Sequence, residues 1–243
     1  MNNKLINQLI TKFIINTMWL FKSSVGRKVV MSITGLFLIL FLTFHALMNA
    51  VAVYSLHAYD VVCEFLGANW YALLGTAVLA AGFVIHIIYA FILTLQNRSA
   101  RGNDRYAVTA RPKSVEWASQ NMLVLGIIVL CFLVLHLFQF WAKMQLPEIM
   151  GEYPPTGEQA LEAVFSQPWV CIVYLIGFCA IWFHITHGFW SAFQSIGVNN
   201  DKWINRWKCI GWWWATIVML LFAVEVIALT GKFAWGWECV GAC

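Results

Sequence analysis

Four stretches of this chain run for more than twenty residues without a charged side chain: Val29 to Tyr59, Phe65 to Asn97, Trp117 to Ala142 and Ala163 to Asn200. A fifth, Cys209 to Gly231, is interrupted only by Glu225. A helix that crosses the hydrocarbon of a bilayer needs about 20 mostly apolar residues, and only helices or closed barrels satisfy their backbone there. The runs therefore predict an all-α integral membrane bundle of five transmembrane helices, over about 28–54, 70–96, 118–142, 167–195 and 209–231. Composition agrees. The chain is 61% hydrophobic and 11% charged, against about 25% charged for a soluble domain. Soluble, disordered and collagen-like classes are excluded on that ground. Residues 1–243 read as a single membrane domain, with no repeat, low-complexity tract or linker that would divide it.

Charge sets the expected orientation. Thirteen of the fifteen Lys and Arg fall on one side of the five spans: Lys4, Lys12, Lys22, Arg27 and Lys28, then Arg98, Arg101, Arg105, Arg111 and Lys113, then Lys202, Arg206 and Lys208. Only Lys143 and Lys232 fall on the other, which carries Asp60, Glu64, Glu148, Glu152, Glu158 and Glu162. Basic flanks resist translocation, so the basic side is expected to be cytoplasmic, with the N-terminus inside and the C-terminus outside. The net charge of +4 thus marks topology and gives no stripe for nucleic acid. Residues 1–27 read as a cytoplasmic amphipathic segment, since Leu5, Ile6, Leu9, Ile10, Phe13 and Ile14 recur at helical spacing among polar residues. The first run is too long for the apolar region of a signal peptide and no cleavage pattern follows it. The segment around Pro147, Pro154 and Pro155 reads as a turn-rich connection. The seven cysteines form no CxxC pair and no CxxCH motif, so neither a zinc site nor covalent haem is indicated. Cys239 and Cys243 lie beyond the fifth span, where they could pair or stay free.

The histidines carry the functional information. Five of six lie inside the spans, where an ionisable group is costly unless it faces the bundle interior and finds a partner. One such histidine is as readily a structural hydrogen-bonding group as a functional one. Four on four successive helices are harder to explain by packing alone. With a rise of about 1.5 Å per residue and alternating directions, His45 and His136 share an outer level while His86 and His184 share an inner one. Two layers of paired imidazoles in a helical bundle are what two stacked bis-histidine haems require, and an iron so ligated carries electrons with no open position. Gly82 and Gly188, four residues from His86 and His184, could admit a macrocycle or could equally mark close helix packing. A metal transporter would need carboxylates or thiols at one level with the imidazoles, and a proton path would need His in chains with Asp or Glu. Glu225, on a helix without histidine, keeps the second of these open.

The blocks Ser32-Ile33-Thr34-Gly35, Phe44-His45-Ala46-Leu47-Met48-Asn49, His86-Ile87-Ile88-Tyr89, His136-Leu137-Phe138 and Phe183-His184-Ile185-Thr186-His187-Gly188-Phe189-Trp190-Ser191 resemble a known family. It is the cytochrome b membrane anchor of succinate:quinone oxidoreductases, in the class with one five-helix subunit and two haems b. The resemblance extends from about Lys28 to Lys232. It implies haem ligation by His45 and His136 at the outer group and by His86 and His184 at the inner one. It also implies a flavoprotein subunit and an iron-sulfur subunit on the cytoplasmic side of a bacterial inner membrane, with menaquinone as electron partner. The direction, succinate oxidation or fumarate reduction, and dimerisation of the complex stay open.

The same resemblance points to Glu64, before the second span, as the residue that handles quinone protons, although a solvated loop carboxylate reads equally well there. His187 is the alternative ligand to His184 or a neighbour of a haem propionate or of the iron-sulfur interface. Arg27, Lys28, Arg98 and Arg101 are candidate propionate contacts and also ordinary positive-inside flanks. One departure is Trp182, which stands where some relatives carry a membrane glutamate. His57 reads as a loop residue, and Trp212, Trp213 and Trp214 suit an interface belt or a subunit contact. No dinucleotide-binding glycine motif occurs, so dicarboxylate chemistry would belong to another chain. The competing readings are a cytochrome b of another quinone-linked complex, of hydrogenase or formate dehydrogenase type, and a haem-free transporter or proton channel.

Overall fold

The computed structural model describes residues 19–20, 22–67, 69–101, 116–198 and 200–237. The amphipathic segment expected before residue 19 lies mostly outside that set, as do Cys239 and Cys243. All elements among the described residues are helical: α1 (Ser24–Tyr54), α2 (Leu56–Leu66), α3 (Trp70–Arg101), α4 (Trp117–Gln120), α5 (Met122–His136), a π-helical turn (Leu137–Trp141), α6 (Ala142–Ile149), α7 (Gly157–Phe165), α8 (Pro168–Ser195) and α9 (Asp201–Trp235). Five of the continuous helical stretches are long and apolar enough to cross a membrane: Ser24–Tyr54, Trp70–Ala100, Met122–Ile149, Pro168–Ser195 and Asp201–Trp235.

Local chemistry sets the ends. The Ser23 hydroxyl accepts from Gly26 N–H to open α1, and Ser55, extended between α1 and α2, accepts from Ala58 N–H to open the next. Pro168 begins α8, where a missing N–H costs nothing. Asn200 caps α9 through Lys202 and Trp203 N–H, and Gly236, at φ 66°, ends it in the left-handed conformation that glycine adopts freely. Two sequence expectations change here. Pro147 lies inside α6 rather than in a turn, and His57 lies on α2 rather than in a loop. The fifth helix starts at Asp201 and carries Lys202, Arg206 and Lys208 before its apolar run.

The spans are keyed together by phenylalanines lying on glycines. A Cβ on Gly82 of α3 would meet the Phe37 ring of α1 at 2.8 Å, one on Gly177 of α8 would meet Phe132 of α5 at 2.6 Å, and one on Gly211 of α9 would meet Phe189 of α8 at 2.7 Å. Between apolar helices in lipid, such close approach replaces the hydrophobic drive that water would supply. The same contacts fix direction. Phe37 meets Gly82 while Gly35 meets His86, and His136 meets Tyr174 while Gly126 meets His184, so numbers rise on one helix as they fall on its neighbour. α1 and α8 form the middle of the bundle, α9 packs on both, and α3 and α5 flank them. An aromatic ladder of Phe132, Tyr174, Phe178 and Phe222 fills the interior at the acidic end.

Candidate functional site

The four span histidines meet in two pairs. His45 of α1 and His136 of α5 have ring centroids 5.8 Å apart with planes at 81°. His86 of α3 and His184 of α8 have centroids 6.4 Å apart with planes at 66°. The vertical spacing can be read on three helices independently. On α1, Gly35 faces His86 and His45 faces His136; on α5, Gly126 faces His184 ten residues before His136; on α8, Tyr174 faces His136 ten residues before His184. Ten residues of helix rise about 15 Å. Two layers of imidazoles thus lie about 15 Å apart along the bundle.

Hydrogen bonding decides which ring nitrogen His136 and His86 offer. Nδ1 of His136 lies 3.3 Å from the Tyr174 hydroxyl, whose own hydrogen goes to Gln139 Oε1 at 2.7 Å. That hydroxyl can only accept from His136, so Nδ1 carries the proton and Nε2 keeps its lone pair. Nδ1 of His86 lies 3.3 Å from Thr34 Oγ1, a hydroxyl already donating to the Val30 carbonyl at 2.9 Å, and the same logic applies. Asn49 holds His45, with Nδ2 at 3.2 Å from Nδ1 and 2.8 Å from the His45 carbonyl oxygen, while its Oδ1 accepts from Tyr59. Nδ1 of His184 is buried without a hydrogen-bond partner.

The separation within each pair bears on the group it could hold. Two imidazole nitrogens on one transition-metal ion, each at about 2.0–2.1 Å, stand roughly 4 Å apart, and a ring radius of about 1 Å at each end brings the centroids to roughly 6 Å. Both observed separations match. Among the described residues no three His, Cys, Asp or Glu side chains converge as a metal-binding group. Each layer thus brings two imidazoles together without a third such side chain among the described residues. Two glycines face the His86–His184 pair: a Cβ on Gly35 would stand 3.3 Å from His86 Cε1, and one on Gly126 would stand 3.8 Å from His184 Cε1. Gly82, by contrast, is filled by Phe37, and Gly188 has no atom within 4 Å of where a Cβ would be. The sequence singled out Gly82 and Gly188 by their distance from a histidine on their own helix. Gly35 and Gly126 each precede a histidine by ten residues, and that repeated offset was the available signal.

His187 is turned elsewhere. Its Nδ1 lies 3.5 Å from Glu116 Oε2, its ring stands edge-on to Trp190 at 4.9 Å, and Glu116 is held by Lys208 Nζ at 2.7 Å. Burial opposes the charge on Glu116, but Lys208 and His187 together outweigh it and hold the carboxyl below the ordinary carboxylate range. A cleft of about 270 Å³ beside this cluster is walled by Trp117, Phe183, Trp190 and Trp212. Trp182 donates from Nε1 to Thr216 Oγ1 on α9.

The remaining candidates are spread out. Glu64 is exposed on α2. Lys28 and Arg98 are exposed at the basic ends of α1 and α3, and Arg27 donates to the Lys22 carbonyl at 2.9 Å. Glu225 is 3% exposed, and its Oε1 has no hydrogen-bond partner. Near the acidic end, burial and the neighbouring Cys63, Glu225 and Asp60 push the Tyr59 phenol well above its usual value. Burial first, then Asp60, push the Cys63 thiol up to about 11 against the opposing Tyr59 hydrogen bond. Compared with protein-family models, curated proteins and solved structures, the chain matches none of them.

Proposed function

We propose that this chain is a dihaem cytochrome b, anchoring a succinate dehydrogenase or fumarate reductase in a bacterial inner membrane and passing electrons between an iron-sulfur subunit and menaquinone. The observation that carries the reading is the pair of imidazole layers about 15 Å apart, each separated as two axial ligands of one iron would be. The sequence blocks that surround these histidines supply the finer reading of family and partners. His45 and His136 would hold one haem and His86 and His184 the other. A haem with two imidazole ligands exchanges one electron and has no position open to oxygen or substrate.

The chain's own residues orient and enclose these sites. Thr34 and Tyr174 fix the tautomers of His86 and His136. Phe41 and Phe222 flank His45, and Phe132 and Phe140 flank His136, so aromatic rings line the His45–His136 pair. Glu64, exposed on α2 at the acidic end, is the proposed group that takes or gives quinone protons there, a task for which a carboxylate at the membrane edge has the right chemistry. The flavoprotein and iron-sulfur subunits are proposed to sit on the basic end.

A dithionite-reduced minus oxidised spectrum with a pyridine haemochrome assay tests the reading. Two haems b per chain are expected. His45→Ala or His136→Ala should remove one, and His86→Ala or His184→Ala the other. A folded, membrane-inserted and haem-free protein would overturn the proposal and bring the channel or transporter reading forward. Co-purification with a flavoprotein and an iron-sulfur subunit that oxidise succinate or reduce fumarate separates this complex from a hydrogenase or formate dehydrogenase.

A further inference from the structure

The four paired histidines differ in what meets them at Nδ1. His184 has no partner, His45 meets a side chain of its own helix, and His86 meets Thr34, a hydroxyl that passes its hydrogen straight to a backbone carbonyl. At His45 the two-member chain donates toward the ring, Tyr59 giving its hydrogen to Asn49 Oδ1 and Asn49 Nδ2 facing Nδ1. At His136 a chain of two side chains leads away from the ring instead: Nδ1 to Tyr174 on α8, and Tyr174 to Gln139 back on the histidine's own segment. Tyr174 is 3% exposed and its ring is packed among Phe132, Phe165 and Phe178. Its hydroxyl is therefore confined to the two protein partners within reach.

The backbone is arranged for this contact. Gln139 lies inside the π-helical turn that begins immediately after His136, the one π-helical segment among the described residues. Such turns carry an extra residue per turn and recur at functional sites, where they re-aim side chains. Here the wide turn carries the Gln139 amide to the far side of the Tyr174 hydroxyl at 2.7 Å, so that the phenol oxygen is polarised on one side and accepts on the other.

We infer that Tyr174 and Gln139 are positioning residues that set the electron-donating strength of His136 toward the metal it holds. The inference rests on the haem reading above. When the Nδ1–H of a metal-bound imidazole donates to an acceptor, the ring becomes more basic at Nε2 and favours the oxidised metal. An acceptor whose own hydrogen is engaged elsewhere is stronger still. Removing the phenol oxygen weakens Nε2 as a donor and makes the haem held by His45 and His136 easier to reduce.

The test is a potentiometric titration of the purified full chain with both haems bound, wild type against Tyr174→Phe and Gln139→Met. In Tyr174→Phe the reduced-to-oxidised ratio of the His45–His136 haem at fixed potential should rise roughly three- to tenfold, equivalent to about 30–60 mV upward at 59 mV per tenfold. The His86–His184 haem should not move. Low-spin ferric EPR g-values should shift for the same haem alone. Gln139→Met, which leaves the His136–Tyr174 contact in place, should shift it less and in the same direction, and adding it to Tyr174→Phe should do nothing further. If Tyr174→Phe fails to load that haem, Gln139→Met decides: an upward shift supports the relay and an unmoved potential overturns it. Two haems with unchanged potentials and g-values in both variants overturn this inference and leave the haem reading standing. A wild-type protein without haem overturns both.

Discussion

Gly35 faces His86 and Gly126 faces His184, yet the two glycines leave different clearances. A methyl group on Gly35 would sit 3.3 Å from His86 Cε1, tighter than ordinary contact, and His86 cannot retreat without losing Thr34 at 3.3 Å. A methyl group on Gly126 would sit 3.8 Å from His184 Cε1, at ordinary van der Waals distance. Gly35→Ala should therefore displace His86 and lower occupancy of the proposed His86–His184 haem by half or more, while Gly126→Ala should leave both proposed haems in place. Haem content per chain, read with the band of the His45–His136 haem as internal standard, checks the pair. Equal loss in both variants would mean that the macrocycle fills the space beside both glycines. Equal retention would mean that His86 does not depend on its Thr34 contact for position.

At the scale of elements, the cluster of Glu116, Lys208 and His187 ties the start of the third span to α8 and α9 where their apolar runs end. Lys208 also lies over the Trp190 ring at 4.5 Å. The Glu116 carboxyl is held below its unfolded value, so its contribution to stability is fully present above the ordinary carboxylate range. It is lost as pH falls through the lowered folded value. Glu116→Gln should lower Tm near neutral pH and match the wild type at acid pH once Glu116 is protonated. Because both side chains of the pair are more than a third exposed, the effect belongs with surface pairs of about 0.2–1 kcal/mol. Thermal unfolding in detergent across that pH range measures it, and a difference that persists at acid pH would assign the loss to packing.

The spans themselves were legible because lipid leaves no alternative to long uncharged helices, and the two histidine levels were legible because a helix converts sequence number into depth at a fixed rise. Depth is not direction, however. Whether His184 or His187 faces His86 depends on how α8 is rotated, and that rotation is set by Phe132 on Gly177 and Phe189 on Gly211, contacts between residues far apart in the chain. The helices α2 and α7 were missed for a related reason. They lie outside the five long helices, and what holds them is α7's Gly157 against Tyr59 and Cys63, together with the Glu158 N–H donating to Asp60. The π-helical turn has no composition of its own and could not be read from Leu137–Trp141.

For the whole molecule, the placement of charge and the placement of the histidine layers must agree if electrons are to enter at one face and leave at the other. The His86–His184 layer lies nearer the ends that carry Lys28, Arg98 and Lys208, and the His45–His136 layer lies nearer the ends that carry Asp60, Glu148 and Glu158. Five helices long and apolar enough to cross would, if each spans once, put the start of the first and the end of the last on opposite sides, so orientation reduces to a single binary outcome. Lys and Arg flanking a span favour the cytoplasmic side, so the basic end, with the proposed iron-sulfur docking face, is proposed to be cytoplasmic. A fluorescent protein fused at the N-terminus should therefore fluoresce and one fused at the C-terminus should not, while alkaline phosphatase should be active only at the C-terminus. The opposite pattern would place the acidic end, with Glu64, in the cytoplasm. The His45–His136 layer would then face the soluble subunits, and a carboxylate proposed to exchange quinone protons outside would be on the wrong side of the membrane for that task.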